Sequence, residues 1–308
     1  MTITVIGHVC IDQYQGPKGT HEQWGGILYS LLTLANLMGE GDTVRPVCSV
    51  GASDFDTLMQ LLGRYPTIDT SGIYTTDEPT NRVMLLYHQN GEHRTECSHR
   101  IAAPIPWTRI KPFVQADGIL INMVSGFDIT LETLDHLRME ARKKGTPLHL
   151  DLHSLTLGVD STAERFRRPV PEWRRWCFGM NSVQVSEEEA AGLTTEGYDE
   201  AALINQLLSL MVNAFIITRG ARGLTLITHA KKTLTRHDIA GTTAGTAVDP
   251  TGCGDVFGAA WLYSWLKTQD ARAAAHFANC AAAWKASVRG VEALDALRHH
   301  LLSTDVPV

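Results

Sequence analysis

The sequence predicts an α/β protein in which a mostly parallel sheet is covered on both faces by helices, with a small β excursion from that sheet. Three observations carry the prediction. From Asp117 onward, short β-branched runs alternate with longer helical stretches, as in a parallel sheet whose strands are buried on both faces. Two strand-like runs, Arg82–Tyr87 and His93–Ser98, flank an Asn-Gly pair, the mark of a hairpin that breaks the alternation. The 308 residues, 44% hydrophobic and 19% charged, suffice for one large core. A single domain over residues 1–308 is expected.

The elements follow in order. Thr2–Cys10 is a β-branched run, read as a buried first strand ending near Gly7. After a polar stretch, Gly25-Gly26 opens an apolar helix through Met38, and Val44–Val50 is the next strand. The Arg82–Ser98 hairpin comes next. GILINMV is a strand, LETLDHLRMEARKKG a helix closed by glycine, and PLHLDL another strand. NAFIIT is a strand, and GLTLIT with KKTLTRH forms a second hairpin. Three helices close the chain: GDVFGAAWLYSWLK, ARAAAHFANCAAAWKAS and EALDALRHHLL.

A net charge of −6 argues against a general nucleic-acid binder, because neutralising phosphates needs a concentrated basic surface. The one basic run, Arg165–Arg175, is read as a solvated loop or interface segment. Six cysteines at 10, 48, 97, 177, 253 and 280 include no C-x-x-C pair and read as buried thiols in a reducing compartment. No window approaches the roughly 20 apolar residues of a membrane span, and the N-terminus lacks the pattern of a signal peptide. A cytoplasmic protein with no membrane partner is expected.

The segment that carries chemistry is Val248–Ala260, VDPTGCGDVFGAA. Gly252, Cys253 and Gly254 precede a helix expected to begin near Asp255. First-turn N–H groups lack internal partners and lie at the positive end of the helix dipole, and glycines let an anion approach them closely. Asp255 beside such a cradle can accept a hydroxyl proton while the cradle neutralises a migrating phosphoryl group. The same residues also fit a plain tight turn with Asp255 as N-cap. Spacing alone does not separate the two readings. G-x-x-x-x-G-K-[ST] is absent, which excludes a P-loop, and the turn lies too late for a first-strand dinucleotide fingerprint.

DPTGCGD resembles the D-T-x-G-A-G-D signature of ribokinase-like (PfkB) sugar and nucleoside kinases. VIGHVCID, WGGILYS, SVGASDFD, ITRGARG and FANCAAAWKASVRG are similar, in this order, to further family segments. The resemblance implies a three-layer α/β/α sandwich and an ATP-dependent kinase. It implies an anion hole at Gly252, Cys253 and Gly254, Asp255 as catalytic base, and substrate contacts from Asp12, Gly25 and Gly26. Ser30 falls where a sugar-binding asparagine often stands. Thr218, Gly220, Gly223, Asp249, Thr251 and Asn279 would serve the nucleotide. A monovalent cation such as K+ would lie by Asp249 and Thr251, and residues 11–24 and 80–102 would form a β lid.

Two departures matter. The family's Asn-x-x-Glu, which organises Mg2+ through water, is best matched by Ser186 and Glu189; Asn181 with Gln184 is the other register. After Gly26, Tyr29 and Ser30 stand near the usual asparagine, which disfavours a plain ribose kinase and resembles inositol-type kinases. His149, Asp151 and His153 alternate but are read as strand and pocket residues rather than a metal trio. A sugar, cyclitol or other polyol is the expected substrate class. Tyr14, Trp24 and Tyr29 leave a nucleoside kinase open, and a catalytically silent sensor is the reading from another class. Apolar residues on both faces of the Arg82–Ser98 hairpin point to a homodimer joined through the lid.

Overall fold

A computed structural model of the chain describes residues 1–16, 19–87, 94–230 and 233–303. In it the first apolar run divides at Gly7. β1 (Thr2–Ile6) belongs to the main sheet, whereas Val9 and Cys10 begin β2 (Val9–Gly16) of a separate sheet. The single strand expected through Cys10 is therefore two. β3 (Gly19–Gly26) turns back along β2, and α1 (Leu28–Leu37) starts directly after, as the Gly-Gly pair indicated. β4 (Thr43–Gly51) was expected; α2 (Phe55–Leu62) and the short β5 (Ile73–Thr76) were not.

β6 (Asn81–Tyr87) and β7 (Arg94–Arg100) pair antiparallel; their Asn90-Gly91 turn lies outside the described residues. Then come α3 (Trp107–Ile110), β8 (Gly118–Asn122), α4 (Leu131–Lys144) and β9 (Leu148–Asp151). Thr130 caps the start of α4 by accepting the N–H of Thr133, and Gly145 follows its end. The basic run, expected as a solvated loop or interface segment, has regular structure of its own. It supplies β11 (Arg165–Arg167), paired with β10 (Leu157–Val159), and then α5 (Trp173–Cys177).

β12 (Ser182–Ser186), α6 (Glu187–Gly192), α7 (Glu200–Ser209) and β13 (Ala214–Thr218) continue the alternation. The hairpin β14 (Gly223–Ala230) and β15 (Thr233–Ala240) precedes α8 (Cys253–Thr268), α9 (Ala271–Ala286) and α10 (Leu297–Ser303). Among the described residues no helix is long and apolar enough to cross a membrane.

Nine strands form the main sheet in the order β15-β14-β13-β12-β9-β8-β1-β4-β5. Neighbours pair parallel except at the β13–β14–β15 edge. One core lies between the sheet and α1, α2, α8, α9 and α10, the other between the sheet and α4, α5 and α7. This is a three-layer α/β/α sandwich. The second sheet, β3-β2-β6-β7, holds β2 and β6 in parallel register. It spans the two stretches in which a lid was expected.

Asn122, Asp151, Ser186 and Thr218 each close a parallel strand at its carboxyl end. In open α/β sheets the ligand crevice lies outside those ends.

Candidate active site

A cavity of about 830 Å³ opens at the carboxyl ends of the strands and is lined from three sides. The second sheet contributes Cys10, Asp12, Gly26, Val83, Leu85 and Glu96; the strand ends contribute Asp151, Gln184, Ser186 and Thr218; the head of α8 contributes Thr251 through Asp255. Its size is that of a small-molecule site.

The head of α8 is built by Gly252, which takes a left-handed conformation (φ +82°) as the N-cap. A Cβ there would also come within 2.4 Å of the Tyr29 ring, so glycine is required on two counts. The helix begins at Cys253, earlier than the expected Asp255, which places Asp255 inside the first turn and excludes its reading as a plain N-cap. Among the described residues no acceptor meets the N–H groups of Gly252, Gly254 and Asp255. These groups, at the positive end of a helix, form an anion cradle. Burial pushes the Cys253 thiol up to about 11, so it stays uncharged beside an incoming anion.

Asp255 is held from below. The Nδ2 of Asn122 donates to its Oδ1 at 2.5 Å, and the Ser30 hydroxyl donates to its backbone carbonyl at 3.2 Å. Ser30 is thus fully buried behind the Gly252–Asp255 turn and does not line the cavity, against the expectation that it touches substrate. Its place on the inner face of α1 is the reason.

Asp12 projects from β2, where it accepts a hydrogen bond from the Cys10 thiol at 3.2 Å. Gly25 sits across the hairpin, and a Cβ at that position would lie 2.3 Å from an Asp12 carboxylate oxygen. Gly25 therefore makes room for the carboxylate rather than lining the cavity itself.

Of the residues expected at the nucleotide, Thr218, Gly220 and Thr251 line the cavity. Gly223 lies one turn back, where its carbonyl accepts the Arg219 N–H at 2.7 Å. Asp249 is buried beneath the cradle, its carboxylate accepting the Thr251 N–H at 3.0 Å. Asn279 fastens the loop after β15 by donating to Ala240 O at 2.9 Å and Thr242 Oγ1 at 3.2 Å. The last three shape the site from outside its lining.

Glu189 lines the cavity while completing a capping box with Ser186: its Oε2 accepts the Ser186 N–H at 2.8 Å. Asn181 is at the far end of β12, accepting the Leu148 N–H at 2.9 Å, so the alternative magnesium register does not reach the site. Gln184 does reach it, donating to Asp151 Oδ2 at 3.1 Å and Gly254 O at 3.0 Å. His149 is fully buried against Ser182 Oγ at 2.7 Å, away from His153. Burial lowers its pKa to about 4.

Burial raises the Asp151 carboxyl to about 8, with Glu189 and Asp255 adding to the rise and His153 opposing it. For His153, burial works against the charged ring, but Asp255, Asp151 and Glu189 outweigh it and hold its pKa above the ordinary histidine value. Asp151 and His153 both line the cavity and shift each other's titration through charge, while the His153 Nδ1 pairs with the Ser154 hydroxyl at 2.8 Å and Asp151 accepts from Gln184. Arg167, from the basic run, also reaches the cavity, 3.6 Å from Glu189.

The profile of the pfkB family of carbohydrate kinases matches residues 30–296. The chain belongs to this family. As a pfkB kinase it is a phosphotransferase, and its fold agrees with solved relatives. Thermotoga maritima ribokinase superposes with a TM-score of 0.78 at 18% identity, covering 98% of each chain. Arabidopsis thaliana ribokinase, solved with ribose and ATP, gives 0.76 at 17% identity over 97% of this chain and 98% of that one. A pyrophosphate-dependent kinase of the ribokinase family gives 0.77 at 18% identity over 96% and 99%. Among curated proteins the sequence finds no match.

Proposed function

We propose that this pfkB kinase transfers the terminal phosphoryl group of ATP to a hydroxyl of a small sugar or polyol, cyclitols included. The observation that carries the reading is the head of α8, where a carboxylate oriented by Asn122 adjoins N–H groups that meet no acceptor among the described residues. Asp255 accepts the proton of the attacking hydroxyl, and the N–H groups of Gly252, Gly254 and Asp255 take the charge of the transferring group, that of Cys253 being bonded to Pro250 O at 3.2 Å. Asp12, facing the cavity from the lid, accepts hydrogen bonds from the acceptor's other hydroxyls and so fixes its orientation. Thr218, Gly220 and Thr251 flank the donor. Mg2+ bound with the nucleotide supplies charge neutralisation, and Glu189, a carboxylate on the cavity wall, is the residue to hold it through water.

A sugar or polyol is favoured over a nucleoside because two of the three aromatic residues expected to hold a base, Tyr14 and Trp24, are committed elsewhere, Trp24 packing against the core, and the third, Tyr29, reaches the cavity wall almost fully buried. The Tyr14 ring stacks on His21 with centroids 4.6 Å apart, and its hydroxyl accepts from Gln23 at 2.7 Å. Tyr29 is buried under Gly252. The proposal extends to assembly: Val83 and Leu85 line the cavity, while Met84 and Leu86 point to the other side of the lid sheet and are partly exposed, a surface suited to a second copy.

The test is a coupled assay over sugars, cyclitols and nucleosides with ATP and, separately, pyrophosphate as donor. ATP-dependent turnover of a sugar or polyol supports the reading. Turnover confined to nucleosides overturns the acceptor class, and turnover with pyrophosphate alone overturns the donor.

A further inference from the structure

The resemblance placed a monovalent cation beside Asp249 and Thr251. The structure puts a cation of the chain's own there. Lys285, in the last turn of α9, is fully buried. Its Nζ donates to the carbonyl of Val288 at 3.2 Å and of Asp249 at 3.4 Å, and lies 5.3 Å from the centroid of the Tyr29 ring. An ammonium at that distance from an aromatic face is favourable, and the C-terminal end of a helix favours positive charge. Burial pulls the Lys285 pKa below the ordinary lysine value, while Asp249, Cys253 and Asp255 oppose the pull.

K+ does not fit among these residues. A hard cation needs a cage of oxygens. Here the Asp249 and Val288 carbonyls face the ammonium, and the Ala286 carbonyl accepts the N–H groups of Val248 at 2.7 Å and Asp249 at 3.1 Å. A second cation in this space would meet the first in a buried setting, where like charges repel strongly. The loop that Lys285 grips is also the one that forms the cradle. Asp249 braces Thr251 through its carboxylate, and Tyr29 lies against Gly252.

We infer that Lys285 is a positioning residue whose ammonium takes the place of K+, so that this kinase holds and charges its anion cradle without a monovalent ion. The inference concerns the cradle of the proposed active site, but its first test needs neither donor nor acceptor. Thermal unfolding of the wild type is measured in KCl and in choline chloride at equal ionic strength, and then for Lys285→Ala, which empties the space beside the two carbonyls. The wild type is expected to unfold at the same temperature in both salts. The variant is expected to unfold earlier in choline and to recover in KCl, by on the order of 5 °C if K+ saturates the vacated cage about 100-fold. A comparable K+-specific rise in the wild type overturns the inference, and this arm stands even where the variant does not fold. A folded variant as indifferent to K+ as the wild type overturns it as well. In the turnover assay, wild-type rate independent of K+ and variant rate restored by K+ are the matching outcomes; wild-type activation by K+ of more than about tenfold, the effect of ~1.4 kcal/mol, is the opposing one. Failure of every acceptor in that assay would instead count against the proposed function and leave the unfolding result intact.

Discussion

The amide of Asn122 donates to the carboxylate of Asp255 across 133 residues of chain, at 2.5 Å. Asn122 ends a central strand and Asp255 lies in the first turn of a helix packed on the sheet, so the bond ties the carboxylate proposed as the base to the main sheet. Asn122→Ala is expected to lower kcat by about 10- to 100-fold, within the range set by positioning of a base, with a smaller change in KM. Steady-state kinetics on the best acceptor from the screen check this. Equal losses in kcat and affinity would mean that Asn122 acts on substrate rather than on Asp255.

Asp255→Asn removes the proton acceptor and keeps the shape. Turnover is expected to fall by about 10²–10⁴-fold, while the unfolding midpoint and nucleotide binding stay near wild type because Asp255 is not the N-cap. A variant that retains a tenth of the activity would rule out the general-base role.

Gly252→Ala tests the cradle. A left-handed alanine costs about 1–3 kcal/mol by backbone strain alone, and its Cβ would push on the Tyr29 ring. Lower stability in denaturant titration and loss of activity larger than the stability loss accounts for are both expected. A variant with native stability and activity would mean the turn can rearrange freely.

Asp151→Asn should stabilise the protein, and increasingly so as pH rises. The Asp151 carboxyl titrates near 8 when folded, against 3.8 ordinarily. The unfolded chain therefore releases that proton first, and stability falls between about pH 4 and pH 8. The substitution removes this loss, a gain bounded above by about 6 kcal/mol, and preserves an acceptor for Gln184. Unfolding midpoints at pH 5 and pH 8 decide it: a gain that does not grow with pH contradicts a raised Asp151.

Light scattering at micromolar concentration is expected to report a dimer, and Leu86→Lys is expected to dissociate it. A wild-type monomer, with or without acceptor, removes the proposed lid interface. A dimer that survives Leu86→Lys relocates it.

The cradle and Asp255 were legible because all their parts lie in one short segment, and a glycine-rich turn before a helix has a local signature. Asp12 and Gly25 were legible only through family resemblance; their mutual fit, a carboxylate nested against a missing Cβ, requires the hairpin to be folded. Asn122 escaped notice since an asparagine at the end of an apolar strand carries no periodic signal. Lys285 looked like the ordinary basic end of a helix, and nothing in KASVRG indicates that its ammonium turns inward to two carbonyls. Arg165 falls in a run expected as a solvated loop or interface segment, and it donates to Ser98 Oγ at 2.7 Å and Ser125 O at 2.9 Å, joining the second sheet to the rest of the chain. Charge runs reveal polarity, not which members find partners. The parallel sheet was foreseen from alternation, but β5, with only four residues, is too short to establish a period.

Asp12 and Asp255 face the same cavity but belong to different sheets and layers, one carried by β2 and the other by α8. A molecule that engages both must bridge them. A polyhydroxylated acceptor can offer one hydroxyl for reaction and others as anchors, whereas water can touch only one side at a time. In the proposed reaction such an acceptor therefore gains binding from both elements where a water molecule gains it from one, a preference of acceptor over water that follows from where the two carboxylates stand.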